Sequence, residues 1–332
     1  MLNSTMILAI CIVILALGFD FINGFHDTAN SIATSVSTRV LTIREAIIMS
    51  ATLNFVGAFI STKVAKTIYD MIQEKYISLE IVLAALIAAV IWNLITWYIG
   101  IPSSSSHALI GGLIGAAIIY NSTFSAIKWA NFFDKVVIWL FLSPLIGFVF
   151  GYIFMKLLNF ILRDAKPAFV SRFFNKAQIV SAAAMAFNHG GNDAQKSMGI
   201  IAMALFSAGY IQTFYVPIWV KAGCAISMAI GTSMGGWRII KTVGTKMARL
   251  APVNGFAAEA GAAAVIFSAT SFFHAPVSTT HIISTSIMGV AASKRLSSVR
   301  WIVAKNIVWA WVLTIPCSAI VAGLVALVIK LF

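Results

Sequence analysis

Two acids stand where an apolar chain tolerates them poorly. Asp27 lies in Phe21-Ile-Asn-Gly-Phe-His-Asp-Thr-Ala-Asn-Ser31, and Asp193 in Phe187-Asn-His-Gly-Gly-Asn-Asp-Ala-Gln-Lys-Ser197, each between long apolar runs. A carboxylate in hydrocarbon is costly unless a partner or an ion compensates it. Asn23, Asn30, Asn188, Asn192 and Gln195 add donors and acceptors that need no ionisation. Such a set suits a hard cation such as sodium, which prefers oxygen ligands, or a proton; the plainer role for each acid is to cap a half-helix. Lys196 stands where the first segment has Asn30. A lysine at that depth neutralises an acid or holds an anion, unless it snorkels to the interface. Gly24, Gly190 and Gly191 permit the backbone to unwind, so helix breaks are expected there.

Two hydroxyl runs offer the complementary chemistry. Pro102-Ser-Ser-Ser-Ser-His107 and Pro276-Val-Ser-Thr-Thr-His281 each set Ser or Thr directly after a proline. Proline favours the first turn of a helix, where backbone N–H groups lack partners and the helix dipole attracts anions. Two such ends facing each other would cradle a tetrahedral oxyanion through Ser103, Ser104, Ser105, Ser278, Thr279 and Thr280. Helix capping with polar packing is the simpler use of the same hydroxyls. His107 and His281 could orient them, move protons or bridge helices, and His26 and His189 beside the acids carry the same ambiguity. No tight His/Cys/carboxylate spacing indicates a permanent metal. A Ser-His-Asp hydrolase is disfavoured, because there is no Gly-x-Ser-x-Gly elbow and the polar groups come in duplicate. The expectation is a protein that is not an enzyme and carries no cofactor.

The elements that must position these groups follow from composition. Of 332 residues, 60% are hydrophobic and 10% charged, against roughly 25% charged in a typical soluble domain. This is an all-α polytopic membrane protein. Cys11, Cys224 and Cys317 sit in apolar runs and read as small hydrophobes. The net charge of +13 is explained by basic residues flanking spans, not by nucleic acid. Apolar stretches run over 5–23, 46–65, 78–99, 105–120, 136–155, 178–208, 214–234, 257–273, 278–293 and 302–331. The first lacks a basic n-region and is read as a retained span. Lys and Arg cluster at Arg39 and Arg44 and within 156–176, 238–249 and 294–305. Placing those clusters inside, as the positive-inside rule asks, puts both termini outside after ten crossings.

The acidic segments and the hydroxyl runs recur in the same order. Asp193 follows Asp27 by 166 residues and His281 follows His107 by 174. Residues 1–155 form a first transmembrane repeat, 156–176 a basic cytoplasmic linker, and 177–332 a second repeat. Five crossings per repeat turn the second upside down. Inverted repeats with paired, broken, polar segments point to a secondary transporter with a midplane site. No Walker-type phosphate loop is present, so an ion gradient is the expected driving force.

These segments resemble the signatures of the PiT-type inorganic phosphate transporter family. Asn23-Gly-Phe-His-Asp-Thr-Ala-Asn30 is similar to the first signature, and His189-Gly-Gly-Asn-Asp-Ala-Gln-Lys196 to the second in its bacterial low-affinity permease form. Both hydroxyl runs match the family pattern, as does Gly235-Gly-Trp-Arg-Ile-Ile-Lys241 followed by Gly255-Phe-Ala-Ala-Glu259. The resemblance implies a symporter of the cell membrane that imports inorganic phosphate with a cation by alternating access. It implies phosphate at Ser103, Ser104, Ser105, Ser278, Thr279, Thr280, Gln195 and the Asn30/Lys196 pair. It implies the coupling ion at Asp27 and Asp193, assisted by Asn23 and Asn192. Sodium-coupled members commonly carry Ala-Asn in both signatures, whereas the second here reads Gln195-Lys196. A fixed ammonium in place of a sodium ion favours proton coupling, with phosphate free or as a divalent metal-phosphate complex. Sodium coupling and a sulfate permease on the same scaffold are the alternatives. The expected partners are phosphate, the coupling cation, the lipid bilayer and a second copy of the chain in a homo-oligomer.

Overall fold

The computed structural model describes residues 3–234 and 236–331, and the side chains of all of these except 28–30, 237, 238 and 246. Thirteen α-helices account for most of the described chain: α1 (Ser4–Ser37), α2 (Ile43–Gly57), α3 (Lys63–Tyr69), α4 (Leu79–Ile99), α5 (Ser105–Asn121), α6 (Trp129–Phe132), α7 (Ile138–Ile161), α8 (Pro167–Ser207), α9 (Ile218–Met234), α10 (Trp237–Lys241), α11 (Pro252–Ser271), α12 (Thr279–Lys294) and α13 (Trp301–Leu331). A π-helical turn, Phe133–Val137, joins α6 to α7. Extended pairing among the described residues is limited to an isolated bridge between Ile72 and Ile127.

Among the described residues, five helical segments are long and apolar enough to cross a membrane: Ser4–Ser37, Leu79–Ile99, Trp129–Ile161, Pro252–Ser271 and Trp301–Leu331. The polytopic all-α architecture read from composition is therefore present. The helix ends follow local chemistry. Thr42 and Glu45 form a reciprocal capping box at α2, Gly100 closes α4 in the left-handed region at φ 77°, and Pro167 and Pro252 occupy first turns. Residues 162–166 alone separate α7 from α8, so the last ten residues of the basic segment 156–176 belong to α8.

The helix breaks fall at one motif pair and not at the other. α1 runs unbroken through Gly24 and Asp27, and α8 through Gly190, Gly191 and Asp193. The expected unwinding at these glycines does not occur. Their missing side chains serve close approach instead: a Cβ on Gly24 would strike the Met228 carbonyl of α9, and one on Gly190 the backbone of Asn54 in α2. The chain does break at the hydroxyl runs, between α4 and α5 and between α11 and α12. With 17 and 16 residues, α5 and α12 are about 25 Å long, short of a full crossing of roughly 30 Å. Both are buried along most of their length, as expected of helices enclosed by other helices.

Packing repeats across the two halves. Exchange α1 with α8, α2 with α9, α4 with α11, α5 with α12 and α7 with α13, and the main contacts map onto each other. Thus α5 packs on α13 as α12 packs on α7, α1 on α9 as α8 on α2, and α4 on α1 as α11 on α8. Each half-helix is clasped by the terminal helix of the other half. Gly115 of α5 lies against the backbone of Ala319, and its counterpart Gly289 of α12 against that of Phe148.

Candidate functional site

The polar groups converge where α1 and α8 cross the N-termini of α5 and α12. Ser104 caps α5 by accepting the His107 N–H at 3.2 Å, and Ser278 caps α12 by accepting the His281 N–H at 3.2 Å. The two N-termini face each other: Ser106 Oγ donates to the Val277 carbonyl at 3.3 Å, and the His107 and His281 rings lie 4.9 Å apart. Trp311 stacks on His281 at 4.0 Å and donates its Nε1 hydrogen to the Pro102 carbonyl at 3.3 Å, bracing both breaks from α13.

Asp27 sits at the centre of this arrangement. Its Oδ2 accepts Ser105 Oγ at 2.7 Å and Asn23 Nδ2 at 2.9 Å. Its Oδ1 lies 2.9 Å from His26 Nδ1 and accepts Thr280 Oγ1 at 3.3 Å. The helix of each half thus sends one hydroxyl to the same carboxylate. Asp193 lies across from it. Asn23 Nδ2 also donates to Asp193 Oδ2 at 3.1 Å, while Asp193 Oδ1 receives Asn192 Nδ2 and the Lys196 ammonium, both at 2.7 Å. Lys196 and all of these partners are buried. An uncompensated carboxylate pair at this depth would repel strongly, and one ammonium with several amide and hydroxyl donors offsets that repulsion.

The fold also brings His189, which the sequence places beside Asp193, to Asp27 of the other half. Asp27, His189 and Asp193 each present one ligand atom, all within 4.8 Å of one another. Two carboxylate oxygens and an imidazole nitrogen could hold a cation. A fixed cation already stands at this cluster in the form of Lys196.

The remaining expected residues divide. Ser103 Oγ donates to Thr96 Oγ1 at 2.8 Å, and Thr96 in turn meets His26 Nε2 at 3.0 Å. Thr279 is buried and its hydroxyl has no hydrogen-bond partner, a condition shared by His107 Nδ1 and by both ring nitrogens of His281. Unsatisfied buried groups cost about 1–3 kcal/mol each, so this concentration of them marks a place suited to a polar ligand. Asn192 also donates to the Val277 carbonyl at 2.9 Å, tying α8 to the second break. Gln195 turns elsewhere. Its Oε1 accepts the Val64 and Ala65 N–H groups at 2.9 and 3.4 Å, capping α3, and its amide donates to the Gly191 carbonyl. The Asn30 side chain lies outside the described residues, as do Gly235 and the side chains of Trp237 and Arg238 in the glycine-tryptophan motif.

Two buried acids were not singled out as site residues from the sequence. Glu259 on α11 accepts Thr34 of α1, Ser181 Oγ at 2.6 Å and Gln178 Nε2 at 3.4 Å from α8. Asp20 on α1 accepts Ser197 Oγ of α8 at 2.6 Å. Asp20 could have been found from spacing, since it precedes Asp27 by two helical turns and so shares its face.

Residues 23–322 match the model of the phosphate transporter family. The chain is 51% identical over 335 aligned positions to a "probable low-affinity inorganic phosphate transporter" of Bacillus subtilis, covering 99% of both chains. It is 46% identical to a protein of the same description from Rhizobium meliloti, covering 96% of this chain and 95% of that one. A solved structure described as "The sodium-dependent phosphate transporter" superposes with a TM-score of 0.87 at 25% identity, covering 98% of this chain and 100% of its own. With a family match across most of its length and relatives alike from end to end, the chain belongs to the phosphate transporter family.

Proposed function

We propose that this protein imports inorganic phosphate across the cell membrane by proton-coupled symport, using alternating access. The observation that carries the reading is the convergence on Asp27: hydroxyls from both half-helix N-termini, Ser105 and Thr280, bond one carboxylate, while a buried ammonium stands on its partner Asp193. Hydroxyls and helix N-termini are donors for a phosphate oxygen. A carboxylate among them accepts the proton that phosphate, unlike sulfate, still carries near neutral pH. Phosphate is expected among Ser103, Ser104, Ser105, Ser278, Thr279, Thr280, Lys196 and Asn30. Gln195 is a weaker candidate, given its bonds to α3. The exchange pattern of helix contacts supports an inverted pair of repeats, 1–155 and 177–332, with both termini outside.

Every described residue of this group is buried, so entry and exit require movement. Phosphate, free or as a divalent metal complex, would draw Ser105 and Thr280 away from Asp27 and engage Lys196. The proton gradient then drives accumulation inward.

A second reading has specific support. The cluster Asp27, His189 and Asp193 suits a small cation, and the solved relative is described as sodium-dependent. In that case sodium would share Asp193 with Lys196. Phosphate uptake into proteoliposomes, with sodium and pH gradients imposed separately, decides between them. Proton coupling requires uptake driven by an inward-directed proton gradient in sodium-free buffer. An absolute need for sodium rejects it. Asp27→Asn and Asp193→Asn are each expected to abolish gradient-driven uptake while leaving the protein in the membrane. Near-normal uptake by either variant would argue against the coupling role.

A further inference from the structure

Within α1 and α8 the repeat logic is broken by charge at two buried places, and these lie side by side. At the position of Lys196 the first half has Asn30, and at the position of Asp20 the second half has Ala186. Asp20 is fully buried. Its Oδ1 accepts the Ser197 hydroxyl at 2.6 Å from the residue next to Lys196. Its Oδ2 is buried without a hydrogen bond of ordinary geometry among the described residues, and the Cys224 thiol of α9, a weak donor, lies near the carboxyl group. The charged groups that reach Asp20 are Asp193 and Lys196, both on α8. Lys196 is already held by Asp193 at 2.7 Å, so Asp20 lacks a cation of its own.

We propose that Asp20 is the proton-binding carboxyl of the transport cycle, and that it competes with Asp193 for the charge of Lys196. A proton from the outer aqueous phase binds Oδ2 and removes a carboxylate that nothing else compensates. When phosphate binds from outside and draws the ammonium toward itself, Asp20 is left without a nearby cation and holds its proton. Once phosphate has left toward the inner water, Lys196 returns to the two acids, its charge favours the Asp20 carboxylate, and the proton follows phosphate inward. One ammonium shared between two acids and phosphate thereby makes proton and phosphate bind and leave together. The inference rests on the proton-coupling reading above and names the group that reading leaves unassigned.

The test uses the full-length protein in proteoliposomes, with two assays side by side. One measures accumulation of radiolabelled phosphate driven by a pH gradient. The other measures phosphate exchange with equal phosphate and equal pH on both sides, repeated over a range of pH. In Asp20→Asn, gradient-driven accumulation is expected to fall at least about tenfold, while exchange persists and loses the pH dependence that exceeds phosphate's own ionisation. Asp20→Glu keeps the titrating group, and is expected to retain driven accumulation with a displaced pH profile. If the wild-type protein accumulates phosphate on the pH gradient and Asp20→Asn does so equally, the assignment falls and proton coupling stands. If the wild-type protein ignores the pH gradient, both fall. Should Asp20→Asn lose exchange as well, Asp20→Glu decides: driven accumulation upholds the proposal, and its loss overturns it.

Discussion

The Asn23 amide of α1 reaches across to Asp193 of α8, 3.1 Å away, while also donating to Asp27 at 2.9 Å. One side chain thus ties together the acids of the two halves. Removing it leaves two buried carboxylates facing each other with one donor fewer. Hydrogen bonds to charged groups contribute about 1.5–3 kcal/mol. Asn23→Ala is therefore expected to lower phosphate uptake by roughly 10- to 100-fold at unchanged expression. Asn23→Asp adds a third carboxylate and should abolish uptake altogether. Initial-rate measurements in proteoliposomes check both, and wild-type rates in Asn23→Ala would remove Asn23 from the site.

Lys196 gives the sharpest substitution, because the first half shows what the position holds without a charge. Breaking a buried ion pair by removing one partner typically costs about 3–5 kcal/mol, since the other charge is left uncompensated. Lys196→Asn leaves Asp193 in that condition, and a small cation can relieve it. The expected outcome is loss of pH-driven uptake together with a gain of sodium dependence, read as stimulation of uptake or thermal stabilisation by sodium over potassium. The double variant Gln195→Ala/Lys196→Asn should show the same change. A Lys196→Asn protein that still accumulates phosphate on the pH gradient, indifferent to sodium, would contradict this role.

Legibility in the sequence followed duplication. Asp27 and Asp193, and the hydroxyl runs that carry Ser105 and Thr280, stood out because each motif occurs twice in order, and the fold brings those four residues together. Asp20 and Glu259 occur once, with Ala186 and Ala85 at the corresponding positions, so duplication does not mark them. The glycines were read with the wrong physical use. A glycine gives both backbone freedom and close approach, and only the neighbouring helix distinguishes the two. Gln195 was unreadable for another reason: its partner is the N-terminus of α3, and no local pattern announces that contact. His189 needed the crossing of α1 and α8 before it could be seen beside Asp27.

Close approach at the glycines has a direct consequence for stability. Gly57 of α2 abuts the backbone of Phe187, and Gly231 of α9 abuts that of Phe21, its counterpart. Overpacking a tight contact costs about 1–3 kcal/mol. Gly57→Ala and Gly231→Ala are expected to lower the midpoint of thermal unfolding in detergent and to reduce the yield of folded protein. Gly18 of α1 has nothing within 4 Å of a built Cβ, so Gly18→Ala should be neutral or slightly stabilising through better helix propensity. Equal stability for all three variants would refute the packing role.

Neighbouring serines separate capping from ligand binding. Ser104 accepts the His107 N–H and caps α5, whereas Ser105 donates to Asp27 at 2.7 Å. Loss of an N-cap costs about 1 kcal/mol of stability. Ser104→Ala is expected to lower thermal stability, with Ser104→Asp recovering the cap because aspartate is a strong N-cap residue. That added carboxylate would also stand beside the anion, so Ser104→Asp should weaken phosphate binding even as it restores stability. Ser105→Ala removes no cap but takes a donor from the buried Asp27; it should lower the unfolding midpoint and also raise the phosphate concentration needed for half-maximal uptake. A hydroxyl run that only packs helices together would show stability lost at Ser105 with phosphate dependence unmoved. Measuring unfolding and uptake on the same three preparations distinguishes the two roles residue by residue.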